Sequence, residues 1–226
     1  MNRLAAEAFG TFALVFAGTG AIVIDDLTHG GVTHVGVALT FGLIIMAMIY
    51  AIGETSGAHL NPAVTVGFYL AGRFSGRLVL PYILSQIAGA LLGSLVLLGL
   101  FGNLADLGAT TPLGSAWQSM WLEALLTAML MFVILGVSSG SKETGVMAGI
   151  AIGGVVALEA LFAGPVSGAS MNPARSLGPA VVSGHLHFLW VYIAGPILGA
   201  MAAVPVWQIT RPPKSDRAGL SASEPH

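Results

Sequence analysis

Residues 56–67 read SGAHLNPAVTVG, and residues 167–178 read SGASMNPARSLG. Ser-Gly-Ala, Asn-Pro-Ala and the closing Gly recur between them at an offset of 172 − 61 = 111. The match extends outward. Glu7, Thr11 and Phe16 recur as Glu123, Thr127 and Phe132, and IAGALLG at 87–93 recurs as IAGPILG at 193–199. Six long apolar stretches surround the boxes, at roughly 4–24, 35–53, 78–101, 117–139, 144–164 and 186–210. Each is long enough to cross a hydrocarbon core of about 30 Å as a helix, which takes about 20 residues. The boxes lie in two connections, 54–77 and 165–185, whose apolar parts (60–70 and 171–183) are half a span long. The order is therefore span, span, half-helix, span, twice over. Three spans per unit is an odd number, so the second unit enters the membrane from the opposite side. Such an inverted repeat places a site near the midplane, where the units meet.

The composition narrows the function classes. Only 8% of the 226 residues are charged and 55% are hydrophobic, against roughly 25% charged in a soluble domain. A soluble enzyme or a disordered chain is excluded, and the partner is a lipid bilayer. The formal net charge of −2 leaves no basic footprint for nucleic acid. With no cysteine and no helical His/Glu pairing, neither a metal nor a cofactor is expected. No Ser/His pair, Asp pair or His-Glu-x-x-His element supports an enzyme. A secondary transporter would need titratable groups at the midplane, where the boxes supply asparagines. With both termini on one side, Arg3, Arg73, Arg77, Lys142, Arg211, Lys214 and Arg217 share that side and Arg175 alone falls opposite. The positive-inside rule makes that side cytoplasmic. The expected organisation is an all-α membrane protein with one channel domain over 1–226. Its repeats span about 3–101 and 117–210, and a polar tail covers 211–226. The compact connections suggest a bacterial inner membrane.

The boxes have a physical reading. Irregular backbone at membrane depth is tolerated only when buried in protein or lining a watery cavity. Asn61 and Asn172 are suited to cap a helix start, and Pro62 and Pro173 to its first position, followed by Ala63 and Ala174. The asparagine amide protons are then left to donate into a lumen. Two helix N-termini meeting there create a positive focus that repels cations and protons while admitting neutral solutes. Glu7 and Glu123 are intramembrane carboxylates placed symmetrically. They are expected to brace the re-entrant loops by accepting backbone hydrogen bonds, with a proton relay as the alternative.

Two NPA boxes in an inverted six-span repeat, with Arg175 three residues after Asn172, resemble the aquaporin (major intrinsic protein) family across residues 3–210. AGPVSGASMNPARSLGPA at 163–180 and WVYIAGPILGA at 190–200 are most similar to plant nodulin-like intrinsic proteins and their bacterial relatives. The resemblance implies the aquaporin fold, a homotetramer with one pore per subunit, and passive two-way permeation. It also implies a narrow filter on the outer side, formed here by Phe41, Ala160, Ala169 and Arg175. Strict water channels usually carry histidine where Ala160 stands. Glycerol facilitators usually carry tryptophan at the position of Phe41 and aspartate at that of Ser176. Two alanines imply a ring wider than a water-only one, passing water, glycerol and uncharged metalloid acids such as arsenous or boric acid. Family members often have a histidine lining the inner pore at the place of His59. Glu159 is expected as a buried, hydrogen-bonded acid or as part of the outer vestibule.

Overall fold

The computed structural model describes residues 1–139 and 145–211. Lys142, Lys214, Arg217 and most of the tail assigned to 211–226 lie outside the described residues. The eight α-helices described here are α1 (Asn2–Leu27), α2 (Thr33–Ser56), α3 (Pro62–Leu70), α4 (Gly76–Phe101), α5 (Ala116–Val137), α6 (Ala148–Ser167), α7 (Pro173–Ser183) and α8 (Leu189–Thr210). Six of these are long and apolar enough to cross a membrane. They correspond one to one with the six expected spans, and α3 and α7 are the two half-length helices. No strand occurs among the described residues.

The helices pack as the repeat demands. α1 packs on α4 and α2, and α5 packs correspondingly on α8 and α6. The half-helices exchange partners: α7 packs on α4 and α3 on α8. α2 and α6, equivalent members of the two units, pack on each other. Glycines let these helices meet backbone to backbone. A Cβ added at Gly89 would lie 2.0 Å from the Ala8 carbonyl oxygen, and one at Gly199 would lie 2.1 Å from that of Ala124. In α2, a Cβ at Gly42 would lie 2.5 Å from the Gly153 carbonyl oxygen on α6. Lipid provides no hydrophobic drive between helices, so close van der Waals approach carries the association.

One span boundary differs from the sequence reading for an identifiable reason. The apolar stretch expected as a span ends at residue 164, yet α6 continues to Ser167 with Pro165 inside it. Proline has no N–H to give to the carbonyl four residues earlier, which is that of Leu161. The His34 ring takes over this role, its Nε2 lying 2.8 Å from the Leu161 oxygen and donating to it. His34, in the first turn of α2, is thus a helix-supporting residue.

Replacing Gly89 with Val should lower the folded yield and the thermal unfolding midpoint, by the about 1–3 kcal/mol typical of overpacking or more. Gly99 has no neighbour within 4 Å of an added Cβ. Its replacement by Ala should be neutral or raise the midpoint slightly. Thermal unfolding in detergent checks both, and equal behaviour of the two variants would contradict the packing argument.

Candidate channel site

The re-entrant loops 57–61 and 168–172 have the same backbone. Gly57 and Gly168 close α2 and α6 in the left-handed region, at φ 88° and 86°. Ala58 and Leu60 then have φ of 46° and 53°, and Ala169 and Met171 have 41° and 53°. Left-handed backbone is costly for residues with a Cβ and persists where surroundings over-determine it. Here the surroundings are two buried carboxylates. Glu7 accepts from the Ser56 hydroxyl (2.7 Å), the His59 amide (2.9 Å), the Leu60 amide (2.7 Å) and the Gln86 side-chain amide (2.8 Å). Glu123 accepts from the Ser167 hydroxyl (2.8 Å), the Ser170 amide (2.8 Å) and the Met171 amide (2.7 Å). Ser56 and Ser167 also accept from the amides of Ala58 and Ala169, each at 3.1 Å.

Each loop ends in its asparagine. Asn61 Oδ1 accepts from the Ala63 and Val64 amides, and Asn172 Oδ1 from those of Ala174 and Arg175, with Pro62 and Pro173 at the first helical positions. The amide protons behave differently from the sequence reading, which sends them into the lumen. Asn61 Nδ2 donates to the Met171 carbonyl at 2.7 Å, and Asn172 Nδ2 donates to the Leu60 carbonyl at 2.8 Å. An asparagine amide has two protons. One on each therefore ties the loops together across the pseudo-axis, and one is left for the lumen that both residues line. The carbonyls that accept belong to the strained residues Leu60 and Met171.

Two cavities meet at the outer side of the boxes. The inner one has room for water of about 50 Å³; Asn61, Asn172, Phe41, Ala160, Ala169 and Arg175 are among its lining residues. The outer one is a vestibule of about 510 Å³, also bordered by Phe41, Ala160 and Arg175. These three residues border both cavities and so mark the constriction between them. Ala169 borders the inner cavity alone. The Arg175 guanidinium lies over the Phe41 ring, 4.8 Å from its centroid, and Nη1 donates to the Gly108 carbonyl at 2.8 Å. That carbonyl is presented by the turn Leu104–Gly108, in which Ala105, Asp106 and Leu107 all have positive φ. Ser176 accepts from the Thr110 hydroxyl at 2.8 Å, which ties the start of α7 to the segment after that turn.

His59 borders the inner cavity, but its ring is largely enclosed. It lies against Phe68, Phe74 and Tyr82, with ring centroids 4.7, 4.7 and 5.2 Å away, and Nδ1 is 3.1 Å from the Thr65 hydroxyl. Glu159 keeps only the burial of its first reading and departs from the second. It is fully buried, neither carboxyl oxygen has a hydrogen-bond partner among the described residues, and it borders neither cavity. One residue along a helix turns a side chain by about 100°, which takes Glu159 off the face that Ala160 presents to the lumen. Sequence reasoning did not identify the paired loop serines, Gln86 or Gly108. The repeated Ser of the two Ser-Gly-Ala strings was a signal for the serines; a carbonyl such as that of Gly108 leaves none.

Replacing Glu7 or Glu123 with Ala removes the acceptor for two loop amides in each case. Buried and unpaired, these cost about 1–3 kcal/mol each. Both variants should show a lower thermal midpoint and a lower flux per folded channel. A Glu7→Ala protein as stable as the parent would remove the bracing role.

Residues 1–207 match the family described as Major intrinsic protein. Aquaporin NIP1-4 of Oryza sativa subsp. japonica is 50% identical over 212 residues, covering 93% of this chain and 77% of that one. Aquaporin NIP1-1 of Zea mays is 47% identical over 212 residues, with 93% and 75% covered. Among solved structures, the X-ray structure of the aquaglyceroporin from Plasmodium falciparum matches with a TM-score of 0.79 at 25% identity, covering 92% of this chain and 99% of that one. Two capped half-helices meeting in an inverted repeat, and relatives that cover nearly the whole chain, lead to one conclusion: this chain belongs to the major intrinsic protein family, the aquaporin channels.

Proposed function

We propose that the chain is a passive channel for water and for small uncharged polyhydroxy solutes, glycerol and metalloid acids such as arsenous or boric acid among them. One observation carries this reading: the constriction shared by the two cavities is bordered by Phe41, Ala160 and Arg175. Where an imidazole would narrow a water-only ring there is a methyl group. Of the five N–H donors of Arg175, one is committed to Gly108. Others can serve hydroxyl oxygens, while the Phe41 ring and the Ala160 methyl offer an apolar wall to the carbon skeleton.

Ions and protons are excluded on electrostatic grounds. The N-termini of α3 and α7 point their dipoles at the midplane, and Arg175 adds a fixed positive charge. Each box asparagine keeps one donor for the lumen, so a passing water accepts from both and its own protons point away. Asn61, Pro62, Ala63 and Asn172, Pro173, Ala174 are thus assigned to the central site. His59 is assigned to the inner lumen through its exposed edge, and Glu7 and Glu123 to bracing. The whole chain is read as one channel domain, a homotetramer by family resemblance. Both termini are placed in the cytoplasm from the distribution of basic residues, and a bacterial inner membrane is the proposed location.

Stopped-flow assays on proteoliposomes test this reading. Water, glycerol and arsenous acid should all pass without a driving ion gradient. Ala160→His should lower glycerol and arsenous acid flux about tenfold or more, equivalent to about 1.4 kcal/mol of added barrier, and water flux far less. Wild-type liposomes passing water but neither larger solute would overturn the wide-ring reading. A proton conductance comparable to the water flux in planar bilayers would overturn the exclusion argument.

A further inference from the structure

Side chains that touch the lumen line the constriction, but its width depends on what stands behind them. On α1, Leu14 borders the inner cavity and Ile22 the outer vestibule. Gly18 lies midway between them, at the helical spacing of four, and so at the level of the constriction. A Cβ added there would lie 2.2, 2.5 and 2.7 Å from Cε1, Cδ1 and Cζ of Phe41. The phenyl ring is seated directly on the bare backbone of α1. The Arg175 guanidinium lies over the same ring, 4.8 Å from its centroid.

The two helices that hold this contact have no room to separate. α1 is pressed on α4, where a Cβ at Gly89 or Gly93 would meet the carbonyl oxygens of Ala8 and Phe12 at 2.0 and 3.1 Å. α2 is pressed on α6 through Gly42, the residue after Phe41, which would meet the Gly153 carbonyl oxygen at 2.5 Å. Interiors packed this tightly respond to added volume by displacing the most movable group. Here that group is the phenyl ring, and its free direction is the lumen.

We propose that Gly18 is a specificity-determining position of this channel: its lack of a side chain sets how far Phe41 stands back from Arg175, and therefore which solutes fit between them. Gly18 touches no solute and acts through Phe41. The inference rests on the proposed function for its choice of solute, but the geometry concerns the width of the ring whatever passes through it.

The test compares wild type, Gly18→Ala, Gly20→Ala, Phe41→Ala and Gly18→Ala/Phe41→Ala in proteoliposomes, with water and glycerol flux normalised to folded channel. Gly18→Ala should lower glycerol flux at least about tenfold, or about 1.4 kcal/mol of barrier, and water flux by a smaller factor. Gly20 lies on the same helix away from the ring, and its Cβ would meet Leu97 at 3.3 Å; Gly20→Ala should leave the glycerol-to-water ratio unchanged. In the Phe41→Ala background the Gly18 substitution should have no effect, because the atoms it displaces are gone. An effect of Gly18→Ala that persists without the Phe41 ring overturns the proposal, as does an equal loss of both fluxes. If Gly18→Ala does not fold, the double variant should still fold and conduct, and its failure would show that Gly18 is needed for another reason. If wild type passes no glycerol, the solute reading fails on its own. The Gly18 inference is then read on water flux, which Gly18→Ala should lower in the wild-type background and leave unchanged in the Phe41→Ala background.

Discussion

Everything in this structure depends on keeping a stretch of non-helical backbone at the middle of a membrane. Each loop amide there must find an acceptor without bulk water. Glu7 and Glu123 provide it, each from a full-length helix at the level where a half-helix begins. A carboxylate suits this task because both of its oxygens accept and it donates nothing. It holds two successive loop segments at once, where a neutral amide would offer one acceptor and turn donors toward donors. The positive-φ residues Leu60 and Met171 follow from this arrangement. Their amides are fixed on the carboxylates and their carbonyls receive the asparagine of the opposite loop. Strain in each loop is thus balanced partly by its own carboxylate and partly by the other half of the molecule.

The twofold likeness explains the scaffold, and its violations carry selectivity. At the offset of 111, Arg175 stands where the first half has Val64, and Ser170 where it has His59. Both border the inner cavity, but Val64 offers it only an apolar surface, while Arg175 brings a guanidinium held by the Gly108 carbonyl. A charge therefore stands on the outer side of the boxes, and an aromatic cluster around His59 stands on the inner side. The bracing is uneven too. Gln86 donates to Glu7, whereas its repeat equivalent Tyr192 is not among the donors to Glu123. The carboxylate of the outer loop, which borders the filter, has one fewer donor, and that loop is tied instead through the Ser170 hydroxyl, which bonds the Asn172 carbonyl and the Ser176 hydroxyl.

The scaffold was legible in the sequence because it is written twice. Span count comes from the apolar stretches and the caps from the Asn-Pro-Ala boxes, and comparing one half of the chain with the other adds the inverted order of spans and half-helices and the paired placement of Glu7 and Glu123. What sequence alone missed involves partners that the repeat does not encode. The Gly108 carbonyl that holds Arg175 comes from a turn whose positive φ falls on Ala, Asp and Leu, residues that give no local signal for it. His34 supports Leu161 across 127 residues of sequence. The cross-loop asparagine bonds needed the distance between two loops, which pattern cannot supply. Glu159 was expected to have a partner or a view of the vestibule because an intramembrane acid is costly otherwise. It is buried with neither among the described residues.

The filter combines both sources of order. Its charge is a single residue that breaks the repeat, but its width is set by helices that obey it. Phe41 comes from α2, Ala160 from α6 and Arg175 from α7, and each of these elements is fixed at a glycine contact: Gly42 against Gly153, and Gly178 against the Ala90 carbonyl of α4. Glycine contacts fix interhelical distance more rigidly than side-chain packing does, because backbone atoms have no rotamers through which to yield. A side chain in the ring can then be large or small without moving the ring's frame. This separation of frame from lining is what allows one inverted-repeat scaffold to present a histidine, an alanine or a tryptophan at its constriction, and so to sort solutes by the volume left over.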